Sequence, residues 1–273
     1  WVLLEGWPTL PERGATDIQP SVAFQDSGLA YLRGGSFGLF LKFGRHGGVH
    51  GHYDKLRLSV YGEDKDFSVD LGTPGFGVRL SDRWYAHTAS HNTVIVDGDP
   101  QPPGWGSLLR FETAGAFQLA DAAVAWTKRP YDGVRFRRAI VLGLPYLIDL
   151  FSVAAPDPRQ FDWIYHNSGS FRVPGVPTLD DRTGGTPPHP DLTAWALLRG
   201  ARAVEWTDRD EAGLTVFLGD ADVSELYSAV GPSNPASESR TAIIRRLHGD
   251  RGLFAAVFAA FAAVFASIAS ALS

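Results

Sequence analysis

The chain of 273 residues is 44% hydrophobic and 20% charged, a balance that buries a large core and excludes a disordered chain. Its 25 Lys and Arg against 30 Asp and Glu give a net charge of −5, and no basic run can track a phosphate backbone, so nucleic acid is set aside as a partner. There is no Cys, which excludes disulfides and thiolate chemistry and leaves His and carboxylates to build any metal site. The chain opens at Trp1 without a signal peptide, from which a trimmed or processed protein is expected.

The 30 Gly and 18 Pro punctuate the sequence into short apolar or alternating runs, and this predicts many short strands. In chain order they are 29–33, 37–43, 56–61, 67–70, 92–96, 108–113, 122–127, 135–142, 145–153, 160–165, 194–198, 203–207, 214–218 and 241–247. Asp97-Gly98, Asp132-Gly133 and Gly249-Asp250 lie between such runs as turns. Residues 174–191 and 231–239 read as long surface loops. The spacing favours one all-β domain over 1–251, a sandwich of two large antiparallel sheets. Residues 252–273 form an uncharged Ala/Phe-rich tail in which Phe254, Phe258, Phe261, Phe265, Ile268 and Leu272 recur at helical spacings. The same stretch also reads as the second arm of a hairpin turning at Gly249-Asp250. Packing on the sandwich is expected of it rather than membrane insertion, because Ala and Ser make it only weakly hydrophobic.

Five of the eight His, namely His46, His50, His52, His87 and His91, fall within 46 residues, and such crowding points to a site. His50 and His52, two apart, share one face of an extended segment that continues through Leu56, Leu58 and Val60. Asp70 ends the run FSVD before a Gly-Thr-Pro-Gly turn, and His91 opens NTVIV. Two imidazoles and a carboxylate around an open position suit zinc, with His52, Asp70 and His91 as ligands. A simple hairpin turning near Asp64 would leave His52 on the order of 17 Å from this meeting point, so residues 50–54 must curl back. The cupin pattern begins with GRHGGVHGH but fails at its next ligand, since Lys55 follows Asp54 and the first Glu is Glu63.

HGHYDKLRLSVYG, FSVDLGTPGFG and WYAHTASHNTVIVDGDPQ, in this order, resemble the heparinase II/III-like polysaccharide lyases, which include alginate and heparin or heparan sulfate lyases. SGLAYLR and WIYHNSGSF extend the resemblance over roughly residues 25–170. It implies a C-terminal β-sandwich preceded in the family by an (α/α) toroid, of which this chain carries nothing. It implies a catalytic role for His50 and zinc ligation by His52, Asp70 and His91. Phe76 stands where related sequences often have Tyr, which brings Tyr85 forward as a second catalytic candidate.

A lyase of this kind removes the proton α to a uronate carboxylate and expels the 4-linked oxygen, work suited to an imidazole near its working pH. Arg45, His46 and His87 are candidate substrate contacts at the rim. Gln101, Trp105 and Arg110 are candidates to line a groove, while His166 is expected in the core. The implied partners are an acidic polysaccharide and the toroid, with location in the periplasm or outside the cell following from the substrate. The rival reading is a noncatalytic carbohydrate-binding or structural sandwich. Neither the polysaccharide nor an oligomeric state is selected by the sequence.

Overall fold

The computed structural model describes residues 20–261 apart from 36, 63–65, 76, 144, 176–184, 209–211 and 220–223. Two antiparallel sheets face each other. The smaller holds β1 (Val22–Phe24), β2 (Leu29–Gly34), β3 (Phe37–Lys42) and β4 (Arg57–Tyr61) in chain order. The larger contains β5 (Val94–Val96), β6 (Ser107–Glu112), β7 (Phe117–Ala125), β8 (Arg135–Gly143), β9 (Tyr146–Asn167), β10 (Ser170–Arg172), β11 (Thr193–Leu197), β12 (Ala203–Thr207), β13 (Gly213–Leu218), β14 (Glu225–Pro232) and β15 (Ser239–Phe261). Its path runs β10-β12-β13-β15-β9-β8-β7-β6, with β14 and then β11 joined to the first half of β15, and β5 joined to the second half of β9.

Alternation puts one face of each strand inside. Leu32, Leu39, Leu41, Leu58 and Val60 of the small sheet share a core with Ala120, Ala122, Ile140, Leu142 and Leu147 of the large one. Each fully buried Leu or Ile contributes about 1.5–3 kcal/mol relative to an exposed one, which makes this interface the main source of stability. A second cluster covers the other face of the late β9 and early β15, where Ile164, Ala242 and Ile244 meet Trp84, Tyr85, Ile95, Leu192 and Tyr227. Here the long strands are buried on both faces, and residues 81–95 are trapped between sheet and surface.

The all-β sandwich is as expected, with local corrections. Runs 145–153 and 160–165 belong to one strand, because Ala155–Pro158 bulge opposite Asp250 where the β9–β15 pairing shifts, and the two prolines there owe no ladder hydrogen bond. Gly249-Asp250 is the matching irregularity inside β15 and not a hairpin turn. The tail likewise continues β15 to Phe261: Phe254, Ala256 and Phe258 face the core, so the helical reading fails over this stretch. Spacing of four lies on one face of a helix and of a strand alike, and pairing with β9 and β13 selects the strand. Phe265, Ile268 and Leu272 lie outside the described residues. FSVD forms no regular strand, being held by an isolated bridge from Asp66 to Tyr61 and by the Ser68 N–H bond to the Val60 carbonyl. Strands β1, β10 and β14 went unpredicted. Asp97-Gly98 is a tight turn with both residues at positive φ, closed by the Asp99 N–H bond to the Val96 carbonyl. Among the described residues no helix is long and apolar enough to cross a membrane.

Candidate functional site

Residues 50–54 do curl back, and the glycines at 47, 48 and 51 make the turn. Gly48 sits at φ 65° and leads into a single 3-10 turn, Gly48–His50. A Cβ on Gly51 would lie 2.6 Å from the Gly47 nitrogen and 2.8 Å from His46 Nε2, so only glycine permits this closure. The His46 ring stacks on Tyr53 with centroids 5.1 Å apart. Tyr53 then donates its N–H to the Ala86 carbonyl at 2.9 Å and accepts at its own carbonyl from the Thr88 hydroxyl at 2.6 Å. These bonds lay the loop on residues 86–91, and the His52 and His91 rings come within 5.2 Å.

The loop delivers His52, Asp54, Asp70 and His91 to one place, where one donor atom from each lies within 4.8 Å of the others. His91 Nδ1 is 2.7 Å from Asp70 Oδ2, while Asp70 Oδ1 accepts from the Gly72 N–H at 2.9 Å. Arg57 bridges the two carboxylates, 2.6 Å from Asp70 Oδ2 and 3.0 Å from Asp54 Oδ2, and Lys42 adds a bond of 2.8 Å to Asp54. Burial opposes ionisation of Asp70, yet His91, Arg57 and the Gly72 N–H together hold its carboxyl well below the usual range. Asp54 is lowered in the same way, with Arg57, His91 and Lys42 outweighing burial. Burial, with His91 beside it, pushes His52 down to about 4, which keeps the imidazole neutral and competent as a ligand at neutral pH.

These residues fit a metal ion. His91 Nε2 and Asp54 Oδ1 are buried without a hydrogen-bond partner, a costly condition that a cation would relieve. The two imidazoles and two carboxylates can therefore hold a metal, Arg57 being the competing cation for Asp70.

The structure brings His52, Asp70 and His91 together as the sequence suggested, and places His50 at the surface two residues from the cluster. Other candidates lie differently. Tyr85, expected as a catalytic group, is fully buried in the second core cluster and donates its hydroxyl to the Ser233 carbonyl at 2.6 Å, an inaccessible position set by the π-helical turn Ser81–Tyr85. His87 packs on His189 at 4.3 Å and accepts the Ala89 N–H at Nδ1, and burial, then His189 and His91, pushes it down to about 3. His46 is half-buried against Tyr53, whereas Arg45 is exposed and stacks over Trp105 at 5.5 Å. Gln101 is a core residue bonding the Lys55 N–H and the Val94 carbonyl, and His166 is buried as expected.

Sequence reasoning missed the residues that hold the cluster. Asp54 follows His52 at the same two-residue spacing as His52 follows His50, a signal available but unused. Asn92 spans the sandwich, donating to the Leu58 carbonyl at 3.0 Å and accepting from the His166 N–H at 2.7 Å. Buried Arg138 pairs with Asp149 and also donates to the carbonyls of Leu56 and Asn92, both at 2.6 Å. Arg240 reaches the carbonyls of Val69 at 2.9 Å and Ser90 at 2.7 Å, the residues just before Asp70 and His91. No local pattern announces a partner so distant in sequence.

Fold and site together define an antiparallel β-sandwich with a buried His/Asp centre able to hold a metal ion beside an exposed histidine. Residues 16–232 match the family model described as heparinase II/III-like, C-terminal, and the chain belongs to that family. An alginate lyase of Stenotrophomonas maltophilia is 31% identical over 172 residues, which cover 54% of this chain and 23% of the relative. An exo-oligoalginate lyase of Saccharophagus degradans is 26% identical over 153 residues, 45% of this chain and 20% of the relative. The matched part is thus about a fifth to a quarter of these relatives' length. Among solved structures, a heparinase III superposes with TM-score 0.72 over 92% of this chain and 37% of its own, at 14% identity. The heparan sulfate lyase HepC of Pedobacter heparinus gives 0.71 over 92% and 38%, also at 14% identity. These two establish the shared fold.

Proposed function

We propose that this chain is the β-sandwich part of a polysaccharide lyase that cleaves uronate-containing acidic polysaccharide by β-elimination in the periplasm or outside the cell. The observation that carries this reading is the exposed His50 two residues from the His52–Asp70–His91 cluster, in a chain of this family. His50 sits on a turn whose shape depends on Gly47, Gly48 and Gly51, so its imidazole is presented at a defined place. There it takes the proton α to the uronate carboxylate or delivers one to the departing oxygen. The carboxylate neutraliser and the complementary acid or base are assigned to an N-terminal toroid.

Zinc held by His52, Asp70 and His91, with Asp54 as a further donor, would supply a fixed electrostatic anchor for the His50 loop. The chain's own residues do the remaining positioning: Thr88 and Ala86 hold Tyr53, while Asn92 and Arg240 hold the irregular segments that carry Asp70 and His91.

Metal analysis of the purified chain tests the site. About one zinc is expected, lost from His52→Ala, Asp70→Ala and His91→Ala; stoichiometric metal in all three variants refutes the ligand set. A parent chain that takes up no zinc would favour Arg57 as the permanent bridge between Asp54 and Asp70. In the enzyme carrying its toroid, His50→Ala should lower formation of the ultraviolet-absorbing unsaturated uronate by about 10²–10⁴-fold with metal retained. Near-parental turnover would make His50 structural.

A further inference from the structure

The outer face of the large sheet carries a groove of about 580 Å³ that the site described above does not use. Its floor is built from residues in register across four strands. Ser107 pairs with Ala123, Ala123 with Arg137 and Arg137 with Ser152, and the next row runs Ala125, Arg135, Ala154. Small side chains keep that floor low. At the β6 edge Trp105 is 70% exposed and Leu109 51% exposed, an unusual placing for an indole that no core demands.

We infer that this groove is a second binding site, for a stretch of uronate chain, with Trp105 as the stacking platform and Arg45, Arg135 and Arg137 as carboxylate contacts. The inference rests on the lyase reading for the kind of ligand, and charge complementarity selects it over a protein partner. Arg135 and Arg45 make no ion pair with any described carboxylate, and Arg137, though bonded to Asp121 at 2.6 and 2.9 Å, leaves more than half its side chain exposed. Two residues apart on β8, Arg135 and Arg137 have their Cα atoms about 7 Å from one another; Arg135 presents its whole planar fork to a carboxylate, while Arg137, whose Nε and one terminal nitrogen hold Asp121, presents its other terminal nitrogen. The Trp105 indole, with the Arg45 guanidinium over it at 5.5 Å, offers a flat apolar surface beside a positive charge, a match for the face and carboxylate of one uronate ring.

The groove also has a direction. Arg45 and Trp105 are bridged through their backbones, the His46 N–H donates to the Gly104 carbonyl at 3.1 Å, and the Gly106 N–H donates to the Phe43 carbonyl at 2.9 Å. The platform is thus tied to the loop that carries His50. A chain held in the groove approaches that loop from the β6 edge, so the groove would retain polymer near the site of cleavage.

Calorimetric titration of the chain with a saturated oligouronate prepared from alginate tests this, with a neutral cellulose-derived oligomer of the same length as control. Trp105→Ala and Arg135→Ala, both exposed enough to leave the fold intact, are each expected to weaken oligouronate binding about tenfold. The neutral oligomer should bind at least tenfold more weakly than the acidic one, and His52→Ala should keep the parental groove affinity. Parental affinity in both groove variants, or binding lost only in His52→Ala, overturns the inference. No binding by the parent chain overturns it too and leaves the face to a protein surface. None of these outcomes touches the lyase reading, which stands or falls on the unsaturated product.

Discussion

Replacing Arg240 by Met probes how the candidate site is held, because this side chain is 7% exposed and spans two segments that share no local contact in sequence. Its guanidinium donates to the carbonyls of Val69 and Ser90, each immediately before a cluster residue. Removal leaves two buried acceptors unpaired at about 1–3 kcal/mol each. Against this, burying the guanidinium itself is costly: burial lowers Arg240 to about 10, and its Nε has no hydrogen-bond partner. The net expectation for Arg240→Met is a loss of about 2–4 kcal/mol. Urea unfolding of the metal-free chain at neutral pH measures it, with Arg251→Met as control, since Arg251 is 82% exposed in a loose pair with Asp250 and should cost under about 1 kcal/mol. Arg240→Met should also weaken zinc binding by about 10–100-fold, the usual effect of losing a residue that orients ligands. A destabilisation no larger than the control's, or unchanged zinc affinity, would refute the clamp.

Two further outcomes are expected. His166, lowered by burial and by Arg240, and His87 are held neutral in the folded chain but protonate below about pH 6.5 when unfolded, so stability is full above that pH and falls on acidification. Each costs about 1.6 kcal/mol between pH 6.5 and pH 5, roughly 3 kcal/mol together, read from urea midpoints of the metal-free protein; a flat profile would contradict their burial as neutral rings. In the apolar tail, Phe258→Ala should cost about 3–5 kcal/mol, as Phe258 is fully buried with its ring 5.0 Å from that of Tyr165, while Val257→Ala on the opposite face should cost well under half of that. Equal costs at adjacent positions would be inconsistent with the strand.

Strand alternation was legible wherever the apolar period was two and a turn residue bounded it, as at β3, β8 and β13. It failed where one local pattern served two structures. Phe254 and Phe258 satisfy a helix and a strand equally, and only the long partner β9 decides between them. Pro156 and Pro158 read as a break because a proline cannot join a ladder, yet a bulge opposite Asp250 lets β9 continue past them.

Residue type and strand period are local properties, and they carried the class of the fold, the crowding of histidines and the choice of His52, Asp70 and His91 as candidates. The tertiary structure alone decided that these three converge. Convergence depends on a glycine-closed loop, on Arg57 bridging Asp54 to Asp70, and on Arg240 and Arg138 reaching carbonyls far away along the chain. It also separated Tyr85 and Gln101, which the core absorbs, from Trp105, which the surface exposes. Aromatic and polar residues of the same type are compatible with either fate, and the free energy of burying each is set by partners that only the folded chain supplies.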